Sequence, residues 1–597
     1  MEGPLRLSLI FLLFLFSSTV LAGQLKSFLP LQKEFDELVL EQLDEDDLPG
    51  LSVSILNKQD DILNRAYGYA DLDTERKISS DTLFRIGSLS SLFIVIAIQQ
   101  LADEGKLNLD KNIKTYLNDF QIKSRSPKPA HIKIRDLLSH HGGLPNTRLK
   151  GLWSVGEVED WRQTLSSLNH MYLSQEPGTI YGYSVFGYEL LARVVEVISG
   201  LRIEDYVHRK ILEPLGMSNT VYRLEGKHHL LIAKEYKDED VMPHLLPRDT
   251  PVNGLYSTSH DLTRLVSMLM AGGVYENRRI LSKNAVKEMF TPQNKSVLLD
   301  LDREVGFAWN LSGSGLKNVD GIATLTGSAL FSASRIGLSL EHQTAVIVLS
   351  NSAGSWGAIE KISKEALARV IELKSGTRPE IIEAEKEVPI TIAGAEKREF
   401  KSDYATFLGW GQITPQGKDL EAELMGWTLR LSPHDSGWYS VHYDLLGVIS
   451  LDADWITKVR IAPAAIAGRN ILLSWHNGQR YYFGLEWKKA AIPEQWTSRV
   501  GKYELSNPDI MTDRLNVQEG ELQIDGGRVY FYYTIPNMIG SYLSVPITPM
   551  DANTAIIPGL GTFMNETISV VNTDKGEALE FSGYLWKKKT KRLDDWF

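Results

Sequence analysis

Ser88 begins the segment Ser88-Leu89-Ser90-Ser91, and the residue three places on decides what that serine can do. A hydroxyl is a poor nucleophile until a neighbouring base takes its proton. Where a serine opens a helix, the residue three positions later sits one turn on, on the same face. Position 91 is therefore the natural place for that base, and it holds Ser91. A serine there can donate and accept hydrogen bonds but cannot act as a base near neutral pH. Two further segments, Tyr183-Ser184-Val185 and Leu325-Thr326-Gly327, offer a phenol and a strand-borne hydroxyl for the same kind of acyl chemistry. The thirteen histidines show no His-Glu-x-x-His or paired-ligand spacing, so the sequence implies neither a metal nor a cofactor.

The elements that must position these groups follow from periodicity. Leu31, Phe35, Leu38, Val39 and Leu43 recur at helical spacing, and Pro49-Gly50 ends that helix. Leu51, Val53 and Ile55 alternate as a strand, and a second strand runs through Ile62 to Tyr69. The Ser88 segment leads into Leu92-Phe93-Ile94-Val95-Ile96-Ala97-Ile98, apolar on every side, which predicts a central buried helix. A second helix is expected from about Phe186 to Ser199, stopped by Gly200. Strands follow over 307–310, 322–327, 330–338 and 344–350, then a helix from about Ala358 to Leu373. Helices between an early and a late set of antiparallel strands make a mixed α/β domain.

Residues 374–395 read as a linker, and beyond it the pattern is short aromatic-rich strands. Gly484-Leu485-Glu486-Trp487-Lys488-Lys489 matches Gly583-Tyr584-Leu585-Trp586-Lys587-Lys588, an offset of 586 − 487 = 99. Tyr404 and Tyr503 are separated by the same 503 − 404 = 99. The common offset favours two tandem β units, 396–490 and 491–597, over one barrel with a coincidental repeat. Trp410, Trp427, Trp438 and Tyr530-Phe531-Tyr532-Tyr533 are expected as barrel packing rather than as a cap on the α/β domain.

With 597 residues, 43% hydrophobic and 23% charged, the chain can bury several cores. A net charge of −11 offers no basic field for nucleic acid or anionic lipid. The absence of cysteine excludes disulfides and thiol catalysis. Residues 1–22, with Arg6 before the apolar run Leu7 to Phe16, read as a cleaved signal peptide rather than an anchor. Three sequons, at Asn294, Asn310 and Asn565, agree with a secretory route. A secreted protein without a membrane span, acting on a small molecule, is the resulting expectation.

Residues 30–373 resemble the class C β-lactamase, esterase and D-aminopeptidase group of the penicillin-binding type. The resemblance rests on the three segments above together with Glu104-Gly105-Lys106-Leu107-Asn108-Leu109-Asp110, Leu137-Leu138-Ser139-His140-His141-Gly142-Gly143-Leu144-Pro145, Glu176-Pro177-Gly178-Thr179, Pro214-Leu215-Gly216-Met217 and Leu255-Tyr256-Ser257-Thr258, in that order. It implies a β-lactamase/transpeptidase-like domain over 23–373, and the paired C-terminal units are similar to those of the D-aminopeptidase branch. It also implies roles: Ser88 as acylated nucleophile and Tyr183 as proton shuttle. Ser91 stands where the group has lysine, Val185 where it has asparagine, and Leu325 where it has lysine or histidine, before Thr326 and Gly327. With those neutral, Tyr183 is expected as a neutral phenol, since a tyrosine of ordinary pKa ~10 needs nearby positive charge to ionise. His141 is the better substitute base, His140 a structural residue, and His260 a surface or cap residue. Val185 and Leu325 suggest an apolar pocket dotted with hydroxyls, suited to a small hydrophobic ester, amide or thioester. Relatives in fungal natural-product pathways carry out acyl transfer or hydrolysis, and the resemblance implies a similar task. The rival readings are a ligand-binding pseudoenzyme and a non-covalent cyclase or isomerase.

Overall fold

The structure is a computed structural model that describes residues 31–382 and 396–589, apart from 59, 128, 398, 417–418, 446–448, 452–458, 477, 516, 535–541 and 575. The leader expected over 1–22 lies outside the described residues.

The first domain is organised on a six-stranded antiparallel sheet. Helix α1 (residues 31–45) buries Leu31, Phe35 and Val39 against one face. Strands β1 (Gly50–Asn57), β2 (Asp60–Asp71) and β3 (Arg76–Lys77) come early; β4 (Ile322–Ser328), β5 (Ala333–Ser339) and β6 (Thr344–Ser350) come late. Their order across the sheet is β4-β5-β6-β1-β2-β3. The two halves join at β1 and β6, where Leu51 lies opposite Ser350 and Val53 opposite Val348. This seam merges the strand sets that the alternation predicts, and it leaves β4 as an edge.

Helix α2 (Ser91–Asp103) crosses the other face, with Leu92 to Ile98 all fully buried. Helix α3 (Val185–Ser199) packs beside it, capped by the Ser184 hydroxyl, which accepts from the Gly187 N–H at 3.0 Å. Gly200, at φ 72°, ends it. Helix α4 (Trp356–Ser375) covers the α1 face.

One glycine fixes how the turn before α2 meets the edge strand. Gly87 sits at φ +52°, and a Cβ on it would lie 2.3 Å from the carbonyl oxygen of Ser328 at the end of β4. Both the backbone conformation and the close approach demand glycine. Gly87→Ala is expected to destabilise the chain by more than about 2 kcal/mol. An unchanged thermal midpoint in that variant would show that turn and strand can separate freely.

The boundary expected at 373 moves outward. Residues 380–381 pair with Leu316–Lys317, and the Ile382 N–H donates to the Gly315 carbonyl at 2.9 Å, so this stretch is tied to the first domain instead of lying in a linker. Residues 383–395 are outside the described set.

Two eight-stranded antiparallel barrels follow, and the 99-residue offset has a structural cause. In the first, strands Asp403–Thr406 and Gln479–Glu486 pair, with Tyr404 opposite Glu486; the strand Tyr439–Leu445 pairs with Arg460–Ile466 to complete the ring. In the second, a closed barrel, Gly501–Leu505 pairs with Tyr584–Lys588, with Tyr503 opposite Lys588. The repeated Tyr and Trp-Lys-Lys segments are thus the first and last strands that close each ring.

Candidate active site

Ser88 lies on a 3₁₀ turn, Gly87–Ser90, that precedes α2. The Ser90 hydroxyl donates to the Gly87 carbonyl at 2.7 Å and accepts from the Leu255 N–H at 3.1 Å, which pins the turn. Ser88 makes no helix-capping bond. Its hydroxyl instead donates to Asn253 Oδ1 at 2.8 Å. Asn253 ends the helical turn Thr250–Asn253, and its amide donates to Asp249 Oδ2 at 2.5 Å. Burial pushes the Asp249 carboxyl up to about 6, against the pull of Asn253 and Arg248. Glu189, on α3, is fully buried nearby with both carboxyl oxygens unpartnered, and burial together with Asp249 raises it well above the ordinary carboxylate range. The serine proton therefore points to a neutral amide, backed by carboxyls that burial biases toward the acid form.

Ser91 sits one turn on, as the spacing predicts, but its hydroxyl donates to the Ser88 carbonyl at 2.7 Å. Tyr183 lies in extended chain before α3, and its N–H donates to Thr562 Oγ1 at 2.9 Å. Its hydroxyl is buried without a committed hydrogen bond. Burial raises the phenol above its ordinary value, and the adjacent Ser88 hydroxyl offsets only part of that, so Tyr183 is neutral at physiological pH.

The two histidines exchange the places expected of them. His140, at φ 60°, stacks on Tyr188 with ring centroids 4.7 Å apart, tilts against Tyr183 at 4.5 Å, and lines the cavity. Its Nδ1 accepts from the Ser184 N–H at 3.2 Å, and burial pushes it down to about 3, so it is a neutral ring. His141 is buried away from the cavity, its Nε2 2.7 Å from Asp300 Oδ2 and its Nδ1 3.1 Å from the Ser139 hydroxyl. Asp300 also accepts from the Tyr181 N–H at 2.6 Å, so His141 braces the loop instead of serving the site. His260, on the first turn of the helix Ser259–Met270, lies within reach of Asn64 and Arg264, far from the cavity.

Leu325 and Thr326 line the cavity from the edge strand. Gly327 serves contact: a Cβ there would meet the Ile86 carbonyl oxygen at 2.2 Å. Val185 is not in the cavity wall; it is the first residue of α3 and packs into the core. Thr324 exchanges both backbone bonds with Asn310 across the open edge, 2.9 and 2.8 Å. By strand alternation the backbone groups of Thr326 and Ser328 face the same way, which suits donation to a substrate oxygen.

Cations missed in the sequence reading occupy the cavity of about 390 Å³. Arg335, opposite Thr326 on β5, donates through Nη1 to Thr326 Oγ1 at 2.9 Å while its Nε is buried and unpartnered. Arg303 stacks over the Tyr181 ring at 4.3 Å. Glu360, Asn310 and Gln479 join them in the wall. This corrects the expectation of an apolar pocket. Strand alternation could have placed Arg335 beside Thr326, had the β4–β5 turn been fixed in advance.

Both barrels reach the site. Gln479 and Tyr481 of the first line the cavity, held by Arg480, whose Nε donates to Asp302 Oδ2 at 2.9 Å. In the second, Thr562 holds Tyr183 and Glu566 accepts from the Asn146 N–H at 3.0 Å. Trp427 packs in the first barrel beside Tyr443, Trp410 packs against Trp487 and Tyr530 where the two barrels meet, and Trp438 packs with Trp475 in a cluster shared with Ile180 and Leu299 of the first domain.

The β-lactamase family model matches residues 35–369. The chain belongs to the β-lactamase family. Protein flp of Staphylococcus aureus is 26% identical over 240 residues, 39% of this chain and 47% of its own, so this chain spans about half the length of that relative. A putative D-alanyl-D-alanine carboxypeptidase of Escherichia coli O157:H7 is 27% identical over 327 residues, 47% of this chain and 72% of its own. Among solved structures, EstCE1, a hydrolase with promiscuous acyltransferase activity, superposes with a TM-score of 0.50 at 21% identity, covering 57% of this chain and 99% of that one. An octameric penicillin-binding protein homologue from Pyrococcus abyssi covers 75% of this chain and 99% of its own, with a TM-score of 0.49 at 21% identity. The first domain thus has the fold of β-lactamase-like hydrolases.

The sequons sit poorly for glycans. The Asn294 amide is buried and donates to Asp300 and to the Arg303 carbonyl, the latter at 2.8 Å. The Asn565 amide donates to the Ser174 carbonyl across the barrel interface. Asn310 faces the cavity itself. A sugar on any of the three would displace a contact or fill the site.

Proposed function

We propose that this β-lactamase-family cavity binds a carboxylate-bearing acyl compound and does not turn it over by the serine–lysine route. The observation that carries this is the Ser88 hydroxyl given to Asn253 Oδ1 at 2.8 Å, with a serine and not a lysine one turn on. Neither Tyr183 nor His140 supplies the missing base: burial holds the Tyr183 phenol protonated, and the His140 ring, pushed down to about 3 with its Nδ1 already accepting from the Ser184 N–H, is too weak a base. Binding keeps its means: Arg335 presents a buried guanidinium beside Thr326, and Arg303 lies in the same wall. A guanidinium suits a carboxylate through paired hydrogen bonds. The name of the Escherichia coli relative points the same way, to a substrate ending in D-alanine. The apolar leader supports a secretory setting for this binding.

Titration calorimetry with benzylpenicillin, which carries a carboxylate beside an acyl group, tests the reading. Saturable binding without hydrolysis is expected, weakened about 10- to 100-fold in Arg335→Leu, the worth of a hydrogen bond to a charged group. Steady hydrolysis of the ligand, or binding indifferent to Arg335, contradicts it.

A further inference from the structure

The second barrel holds a cavity of its own, also about 390 Å³, separate from the one beside Ser88. Its wall is made by inward-facing pairs on successive strands, among them Phe531 with Tyr533, Val545 with Ile547, and Leu579 with Phe581. These are the alternate positions that fill an eight-stranded barrel or leave room for one small ligand. Here room remains: Tyr533, Val545 and Phe581 stay partly accessible although they point into a closed barrel. Among the described residues, no charged side chain lines the space. Two of its polar groups are already engaged, Tyr584 donating to the Asp509 carboxylate at 3.1 Å and Thr512 to the Asp509 carbonyl at 2.9 Å.

The first domain borders the mouth. Leu149, Leu152 and Trp153 come from one loop, and Leu330 from the tip of the β4–β5 turn. Leu152, Leu330 and Met511 pack with the buried cluster of Trp153, Leu245 and Ala329 at that junction.

We propose that this barrel binds one uncharged, predominantly hydrocarbon molecule. An apolar cavity that offers water no partners stays dry and takes apolar guests instead, and a 150 Å³ example holds benzene. By that scale the barrel has room for roughly fifteen carbons. A carboxylate or phosphate inside would find no cation among the described lining residues, so the class is a neutral chain such as a long alcohol or ester, and not the free acid.

The test uses the full chain and N-phenyl-1-naphthylamine, a neutral apolar fluorophore. Saturable one-to-one binding is expected, displaced by 1-decanol and at least tenfold less well by decanoate. Val545→Trp, which fills the cavity without adding charge, should weaken the probe at least tenfold while leaving benzylpenicillin binding as in the parent. If that variant does not fold, the two competitors in the parent chain still decide. The absence of saturable binding overturns the proposal, as does equal displacement by decanoate, or probe binding that persists in a folded Val545→Trp chain.

Discussion

A chain carrying Ser91→Lys and Leu325→Lys in an Asn253→Ala background is expected to acylate at Ser88 at least about 100 times faster than the parent, the contribution of a positioned general base. Ser91→Lys alone should gain less than about tenfold, because two obstacles remain. Asn253 still holds the serine proton at 2.8 Å. Leu325, in the cavity wall, still withholds a polar neighbour that would orient the new ammonium. Intact-mass kinetics with benzylpenicillin, with the thermal midpoint as a folding control, separates the two chains. Full restoration by Ser91→Lys alone would show that Asn253 is no lock.

The buried carboxyls Asp249 and Glu566 are also expected to lower the chain's stability as pH rises from 5 to 8, while the buried imidazoles His140 and His244, pushed down to about 3 and about 4, lower it as pH falls below 6.5. Asp249, raised to about 6, and Glu566, raised to about 7, are both buried, and burial is the larger cause in each. A carboxyl whose folded value lies above its unfolded one keeps a proton that the unfolded chain has already lost, so stability falls as pH rises between the two values. For Asp249 that window runs from about 4 to about 6, and for Glu566 from about 4.5 to about 7. Each contributes on the order of 3 kcal/mol across its window. Carboxyls lowered by partners, such as Asp110 beside Arg135, act oppositely but below their unfolded values, near pH 4 and under. Glu566→Gln keeps an oxygen for the Asn146 N–H and should remove the Glu566 share of the slope. Urea unfolding of both chains at pH 5 and pH 8 measures it, and a slope unchanged by the substitution contradicts the assignment.

Much of the fold was legible because it rests on local pattern. The all-apolar run from Leu92 to Ile98 could only be a central helix, and the equal offsets of Tyr404/Tyr503 and Trp487/Trp586 marked two rings. The site was half legible. Ser91 fell on the face that helix spacing assigns it, but what replaced the lysine came from elsewhere in the chain. Asn253 and Asp249 lie more than 150 residues from Ser88, on a helical turn with no pattern of its own. Arg335 needed the register of β4 against β5, which hangs on a turn containing Leu330 at φ 61°. His140 and His141 were misassigned because adjacent residues in an irregular loop carry no periodicity to say which one faces the cleft.

The central claim is that the hydroxyl at position 88 keeps its proton at neutral pH. Intact-mass spectrometry of the parent chain after exposure to a fluorophosphonate probe at pH 7 tests it most directly. The account predicts an unmodified mass over hours. Rapid, stoichiometric addition that maps to Ser88 and disappears in Ser88→Ala would contradict it.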